Sequence, residues 1–300
     1  MQLKTRYITI KMYLDKGVFP GSEGSNVKII SASSKKNSLT VEASINIVAG
    51  LINSTADIKI FGLLPKDINF FSRFNPYYGQ NMVANVVEIY AGYELDQSGL
   101  PPFCYRGQVY YATVDMNSVD RPFYISAIYG ISEQNNIVPA ANPAGSIALD
   151  DLFKQIIAQM PGNYQYVSNN VNGTANNPHY YGSALNQLKQ ATTDYGYKFH
   201  VDNKTIYVAP LGQSFTDKVF KISAENGLIG YPHGNPYGFS ITTYYNPAVR
   251  FQQQINLVTE LEIANRPDWI INGMSHELQN HGDKWQSTLS LNLTRFVLPS

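Results

Sequence analysis

Cysteine is nearly absent: Cys104 is the single one in 300 residues. No intrachain disulfide can form, a zinc centre built on several cysteines is excluded, and a reducing folding compartment fits. Charge is scarce too. Only 15% of residues are charged, 22 basic against 22 acidic, where roughly a quarter is usual. The formal net charge is zero and no long basic run occurs, so nothing marks a nucleic-acid or anionic-membrane partner. A neutral chain also lacks the self-repulsion that keeps monomers apart, a property suited to permanent assembly. Long apolar runs are missing as well. None approaches the ~18 residues of a membrane span, and Met1–Leu14 alternates polar with apolar instead of forming a signal-peptide core.

What is present is aromatic and β-prone. There are 22 Tyr and 14 Phe in a chain that is 44% hydrophobic, with abundant Val, Ile and Thr, residues that suit pleated, half-buried surfaces. The fold class is read as mainly β (α+β). Strands are expected at Arg6–Tyr13, Val27–Ser31, Ser38–Ile47, Ala56–Phe61, Val83–Tyr93, Tyr105–Val114 and Phe123–Ile128. Val41, Ala43, Ile45 and Ile47 alternate as one strand face does. A short helix, Lys66–Phe74, follows Pro65.

Residues 134–145, rich in Asn, Pro and Ala, read as a linker between a first β unit, 1–133, and a small α+β unit, 146–212. In the latter, Ser146 is placed as an N-cap ahead of the stripe Leu149, Leu152, Phe153, Ile156, Ile157 and Met160. A second helix runs from Ser183 to Tyr195 with Gly196 as its cap. Tyr197–Val201 and Ile206–Val208 then flank an Asp202-Asn203 hairpin turn. The last unit, 213–300, returns to β with Val219–Ile222, Phe239–Tyr245, Ile255–Ile263, Asp268–Leu278 and Trp285–Leu293; Gly227–Gly238 reads as a loop.

Chemistry finds little purchase. His276, His281 and Asp283 are the nearest approach to a metal set, but the spacing favours a polar hairpin tip. HExxH, Gly-x-Ser-x-Gly, the P-loop and GxGxxG are all missing. Cys104, beside Pro101-Pro102, reads as a buried structural thiol. No cofactor or metal is expected, and the chain is read as not an enzyme. Tyr77, Tyr78, Tyr180, Tyr181, Tyr244 and Tyr245 could stack on sugars, which gives a competing reading as a carbohydrate-binding or cell-wall-degrading component. Tyrosine serves protein interfaces equally well.

The two β sections share a pattern. Tyr105-Arg106-Gly107-Gln108-Val109 and then Phe123-Tyr124-Ile125 match Ile271-Asn272-Gly273-Met274-Ser275 and then Trp285-Gln286-Ser287. Each is a strand with an interior glycine followed by a strand opening on a large aromatic. A degenerate internal duplication is therefore expected, with Gly107 equivalent to Gly273 and Phe123 to Trp285.

These blocks also resemble a known family. Gly227–Pro232, Gly238–Ile241, Tyr245-Asn246-Pro247 and Trp269–Glu277 with His281-Gly282-Asp283 and Trp285–Thr288 look like the second tube-type domain of phage baseplate hub proteins. Ala56–Leu63, Ile89–Tyr93 and Arg106-Gly107 resemble the first. The family is related to the hub portion of type VI secretion spikes. The resemblance implies two tail-tube-like β-barrel domains with an inserted α+β domain, and a homotrimer of pseudo-sixfold shape. It also implies that the ring joins a tail tube protein to a central spike protein, contacts other baseplate proteins, and passes DNA through its lumen. It places the chain in the virion tail baseplate, assembled in the host cytoplasm without membrane insertion. A cell-wall-degrading lysozyme or peptidase fused after Ser300 is not expected.

Overall fold

The computed structural model describes residues 4–19, 24–48, 54–63, 74, 84–236 and 238–293. The first strands are β1 (Tyr7–Tyr13), β2 (Val27–Ser33), β3 (Thr40–Val48), β4 (Thr55–Phe61), β5 (Val86–Gly92), β6 (Phe103–Val114) and β7 (Phe123–Ile128). Val41, Ala43 and Ile45 form the buried face of β3, as their alternation requires. Of the expected helix Lys66–Phe74, only Phe74, which is buried, falls within the described residues.

Helix α1 (Ile131–Asn135) leads into β8 (Ser146–Ala148), α2 (Leu149–Ala158), β9 (Gln165–Ser168), β10 (Thr174–Asn176), α3 (Ala184–Asp194), β11 (Tyr197–Asp202) and β12 (Thr205–Pro210). The stripe of α2 packs on Leu185 and Leu188 of α3 and on Phe199 and Val208 of the hairpin, in a cluster of its own that takes in Ala141. Ala141 also pairs with Tyr180 and Ile137 with Ser183, so the stretch read as a linker is bonded to this unit. Ser183 caps α3 by accepting from the Asn186 N–H at 3.3 Å, and Asn203 and Lys204 both take left-handed φ, 42° and 64°, in the two-residue turn. Ser146 does not cap α2. It pairs with Asn176 in a short ladder, and Ala148 takes the N-cap position without a side-chain bond; strand pairing outweighs the local capping preference.

The chain ends with β13 (Phe220–Ile222), β14 (Leu228–Asn235), β15 (Gly238–Tyr244), β16 (Gln254–Leu257), β17 (Arg266–Gln279) and β18 (Trp285–Leu293). The expected loop over Gly227–Gly238 is thus mostly strand. Its pairing with β15 slips between Ile229 and His233, where Pro232, with no N–H to give, is accommodated.

All strands outside the helical unit belong to one 13-stranded sheet, ordered β14-β15-β18-β17-β3-β4-β7-β6-β5-β1-β2, with β16 on β17 and β13 on β16. Among the described residues this ladder closes into no barrel; β2 and β14 are its ends. Its internal order repeats. The first unit runs β3-β4-β7-β6-β5, all antiparallel, and the second runs β14-β15-β18-β17-β16, again all antiparallel. The two differ at the flank, where β1 joins β5 antiparallel and β13 joins β16 parallel.

Candidate assembly sites

The halves of the sheet are joined by β17. Its first residues, Arg266 to Ile270, pair with β16, then Gly273–Gln279 pair antiparallel with Val48–Glu42 of β3. Side chains lock this seam. Asn280, 1% exposed, accepts from the Val41 N–H at 2.8 Å and donates to the carbonyls of Ser33 at 2.9 Å and Leu39 at 2.8 Å. Arg6 reaches the same turn, donating to the carbonyls of Gln279 and Gly282 at 3.2 and 2.6 Å, while its guanidinium lies over the Trp285 ring at 5.6 Å. Asn280→Ala would strand three backbone groups, so a loss of about 2–3 kcal/mol is expected, read as a lower midpoint in urea titration. A loss under ~1 kcal/mol would mean that water replaces the amide.

Three side chains of the second half, Tyr245, Leu278 and Trp285, belong to the core of the first. Trp285 meets Tyr93 and Tyr245 edge to face at 5.9 and 5.7 Å, and Tyr245 in turn meets His276 at 5.1 Å. His276 bonds the Ser287 hydroxyl at 2.8 Å. Burial, with Arg250 nearby, holds its pKa down at about 4. His281 and Asp283 instead occupy the exposed hairpin turn. Among the described residues no group of three His, Cys, Asp or Glu side chains is placed to hold a metal.

The helical unit docks through β11. Lys198 donates to Gln252 and burial lowers its pKa to about 8. Asp202 faces Arg250 at 3.6 Å. His200 packs on Phe251 at 4.6 Å and stacks on Phe215 at 6.4 Å, and burial lowers its pKa to about 3. Where this docking meets the seam lies a cavity of about 30 Å³, touched by Ile47, Cys104, His200, Tyr245, Arg250 and His276; it has room for a water or so. Burial pushes the Cys104 thiol up to about 11, which keeps it protonated and a poor nucleophile.

In the first unit the buried Glu88 carboxylate accepts from Tyr13 at 2.7 Å, Tyr90 at 2.9 Å and Arg106 at 2.8 Å. It ties β1, β5 and β6 together. This network gave no sequence signal, because its members lie far apart in the chain.

The four residues singled out from sequence fall on corresponding strands. Gly107 is on β6 and Gly273 on β17; Phe123 opens β7 and Trp285 opens β18. Phe123 faces Val114, seven residues beyond Gly107, and Trp285 faces Leu278, five beyond Gly273. By pairing, Gly273 faces Ser290, five residues after Trp285, and Ile128, five after Phe123, faces Gln108, so the glycines lie on corresponding strands but one position out of register. Each strand also carries a register slip, near Tyr110 on β6 and near Asn272 on β17. The aromatic platform for sugars is not assembled: Tyr180 and Tyr245 are core residues, and the exposed Tyr181 and Tyr244 sit on separate units. Tyr77 and Tyr78 lie outside the described residues.

A family model described as baseplate hub gp41 matches residues 25–290. The chain belongs to that family. It is thus a phage tail hub protein, a structural component of the baseplate. Among solved structures the hub chain is similar to a tail protein from Neisseria meningitidis MC58, at 11% identity and TM-score 0.56, covering 85% of this chain and 96% of that one. It also resembles the 43 kDa tail protein of prophage MuSo2 from Shewanella oneidensis, at 8% identity and TM-score 0.58 over 95% and 96%. A third is the E. coli c3393 protein, a type VI secretion component described as similar to T4 tail proteins gp27 and gp5, at 8% identity and TM-score 0.52 over 86% and 75%. At these identities the likeness is one of fold. No curated protein matches the sequence.

Proposed function

We propose that the hub chain forms a homotrimeric ring of pseudo-sixfold shape that joins the tail tube to a trimeric central spike and surrounds the DNA channel. The observation that carries this is the repeated five-strand order within one chain. A chain with two equivalent units, taken three times, offers six alike positions to a hexameric tube. The differences between its units leave a threefold surface for a spike. Each unit then acts as a tube-like barrel whose edges are completed by neighbours, with 1–133 and 213–300 as the barrels, 134–145 joining the first to 146–212, and 146–212 as an outer insertion. Partners are the spike, the tube protein and other baseplate proteins, with assembly in the host cytoplasm and no membrane insertion. The role is architectural and non-catalytic. Gly107, Phe123, Gly273 and Trp285 serve it as structural residues.

Imaging of the hub with its cognate spike is the test. Three copies per spike trimer are expected, and two or four would overturn the ring. The insertion has its own test: a chain lacking residues 146–212 is expected to keep β-type circular dichroism and a cooperative melt, and loss of both would refute the boundary.

A further inference from the structure

The helical unit is held to the rest of the chain by a narrow contact. Its strands form sheets of their own, β11-β12-β9 and β10-β8, and among the described residues none of them pairs with the 13-stranded sheet. Its apolar side chains make a cluster separate from both cores of that sheet. What crosses between the two is polar or aromatic and comes largely from β11: Lys198 on Gln252, Asp202 on Arg250, and His200 on Phe215 and Phe251. The Tyr129 and Tyr164 hydroxyls, 3.3 Å apart, and a bond from the Asn169 amide to the Ser214 carbonyl at 3.0 Å lie at the edges of this contact. The body keeps the receptor in shape by itself, since the Gln252 N–H donates to the Ile271 carbonyl at 3.0 Å and its side-chain amide to Asn272 Oδ1 at 3.0 Å.

The packing at this contact is loose. Beside the cavity of about 30 Å³ lies a second of about 40 Å³, and both touch Cys104, His200 and Asp202. Close-packed interiors leave few voids of that size. His200 Nδ1 is buried without a hydrogen-bond partner among the described residues, a penalty that water lifts once the ring is uncovered. Both chain crossings are built for turning. The chain enters the unit through Gly130, at φ 83°, and leaves it through Gly212, at φ 76°, settings in the left-handed region that glycine occupies freely. We propose that residues 131–211 form a hinged body that lifts off the sheet as one piece, turning at Gly130 and Gly212, while its own core and the 13-stranded sheet both stay folded. Polar contacts between units of one chain allow such relative motion, and local openings of this kind lie below global unfolding in free energy. The outer unit thereby changes its set on the hub without breaking a strand pair. The inference stands on the docking geometry and is independent of the trimeric reading.

The chain carries its own reporter. Cys104 is the single cysteine, buried where β11 covers the sheet, so the rate at which a disulfide-exchange reagent labels it in the native full chain reads the opening. Measured from zero urea up to the unfolding transition, that rate is expected to be about tenfold or more below that of the unfolded chain's thiol, yet about tenfold or more above what global unfolding allows. It should also be nearly flat in urea until the global transition takes over, because lifting a docked unit exposes far less surface than unfolding does. Asp202→Ala removes the ion pair with Arg250 and is expected to raise the flat rate about two- to fivefold. Asn280→Ala weakens the sheet at Val41, at the far end of β3 from the cavity residue Ile47, and is expected to leave the flat rate unchanged while the global midpoint falls. Labelling that follows global unfolding at every urea concentration overturns the hinged body, as does labelling as fast as the unfolded thiol. A flat rate indifferent to Asp202→Ala, or raised by Asn280→Ala, places the opening within the sheet and overturns it too.

Discussion

Truncation of Trp285 to alanine is expected to remove about 3–5 kcal/mol of folding stability, the range for deleting a large buried aromatic. The indole is 2% exposed. Its strand belongs to the second half of the sheet, but its ring sits in the core of the first, between Tyr93, Tyr245 and the Arg6 guanidinium. The cavity therefore opens at the seam, where collapse from either side is resisted by β17 pairing with β3. Such a loss is large against the ~5–15 kcal/mol of a typical domain. The remaining tryptophan, Trp269, lies in the separate core of the second half, so its fluorescence reports that half alone. In a urea titration of Trp285→Ala the Trp269 signal and the circular dichroism are expected to shift together to lower midpoints. A change below ~1 kcal/mol would show that the ring adds little. A Trp269 transition left at its original midpoint would sink the view that Trp285 couples the halves.

Local pattern made much of this fold legible, and topology hid the rest. The alternation of Val41, Ala43 and Ile45 and the stripe of α2 each report a face turned to a core, and the hairpin is legible in its flanking alternation although its turn falls at Asn203-Lys204, one residue beyond the expected Asp202-Asn203. β14 hides from sequence because Gly230, Pro232 and Gly234 break its alternation; an edge strand mostly open to solvent needs no apolar face. Ser146 carried a capping signature that its ladder with Asn176 overrode. The pairing of β17 with β3 joins segments more than two hundred residues apart, and no short window contains that information.

The site residues follow the same division. The aromatics Phe123 and Trp285 are visible as a repeated motif, and they open β7 and β18. His276 looked like a potential ligand by type, yet its place between Met274 and Leu278 on one strand face already pointed it inward. Asn280 and the Glu88 network had no such signal. Their roles arise from carbonyls and hydroxyls brought in from distant strands.

Acid is expected to destabilise the hub steeply, with His200 and His276 contributing about 5 kcal/mol of the loss by pH 4.5. Both rings touch the small cavity where the helical unit docks on the seam. Burial depresses the pKa of His200 to about 3 and that of His276 to about 4, against ~6.5 in an unfolded chain. As pH falls below ~6.5 the unfolded state takes up two protons that the folded state refuses, so stability drops by up to ~2.7 kcal/mol per pH unit. The slope from His276 levels off near pH 4 and that from His200 near pH 3. The charged groups around them oppose relief. Arg250 lines the same cavity and acts on His276, and Lys198 lies two residues before His200 on β11, while Asp202, whose own pKa burial raises, already faces Arg250. Urea midpoints of the full chain between pH 7 and 4.5 measure the slope, and His200→Phe with His276→Gln isolates the share of the two rings. The double variant is expected to lose most of that slope while its pH 7 midpoint moves less. An unchanged slope would mean that the buried histidines are not the groups whose protonation destabilises the hub.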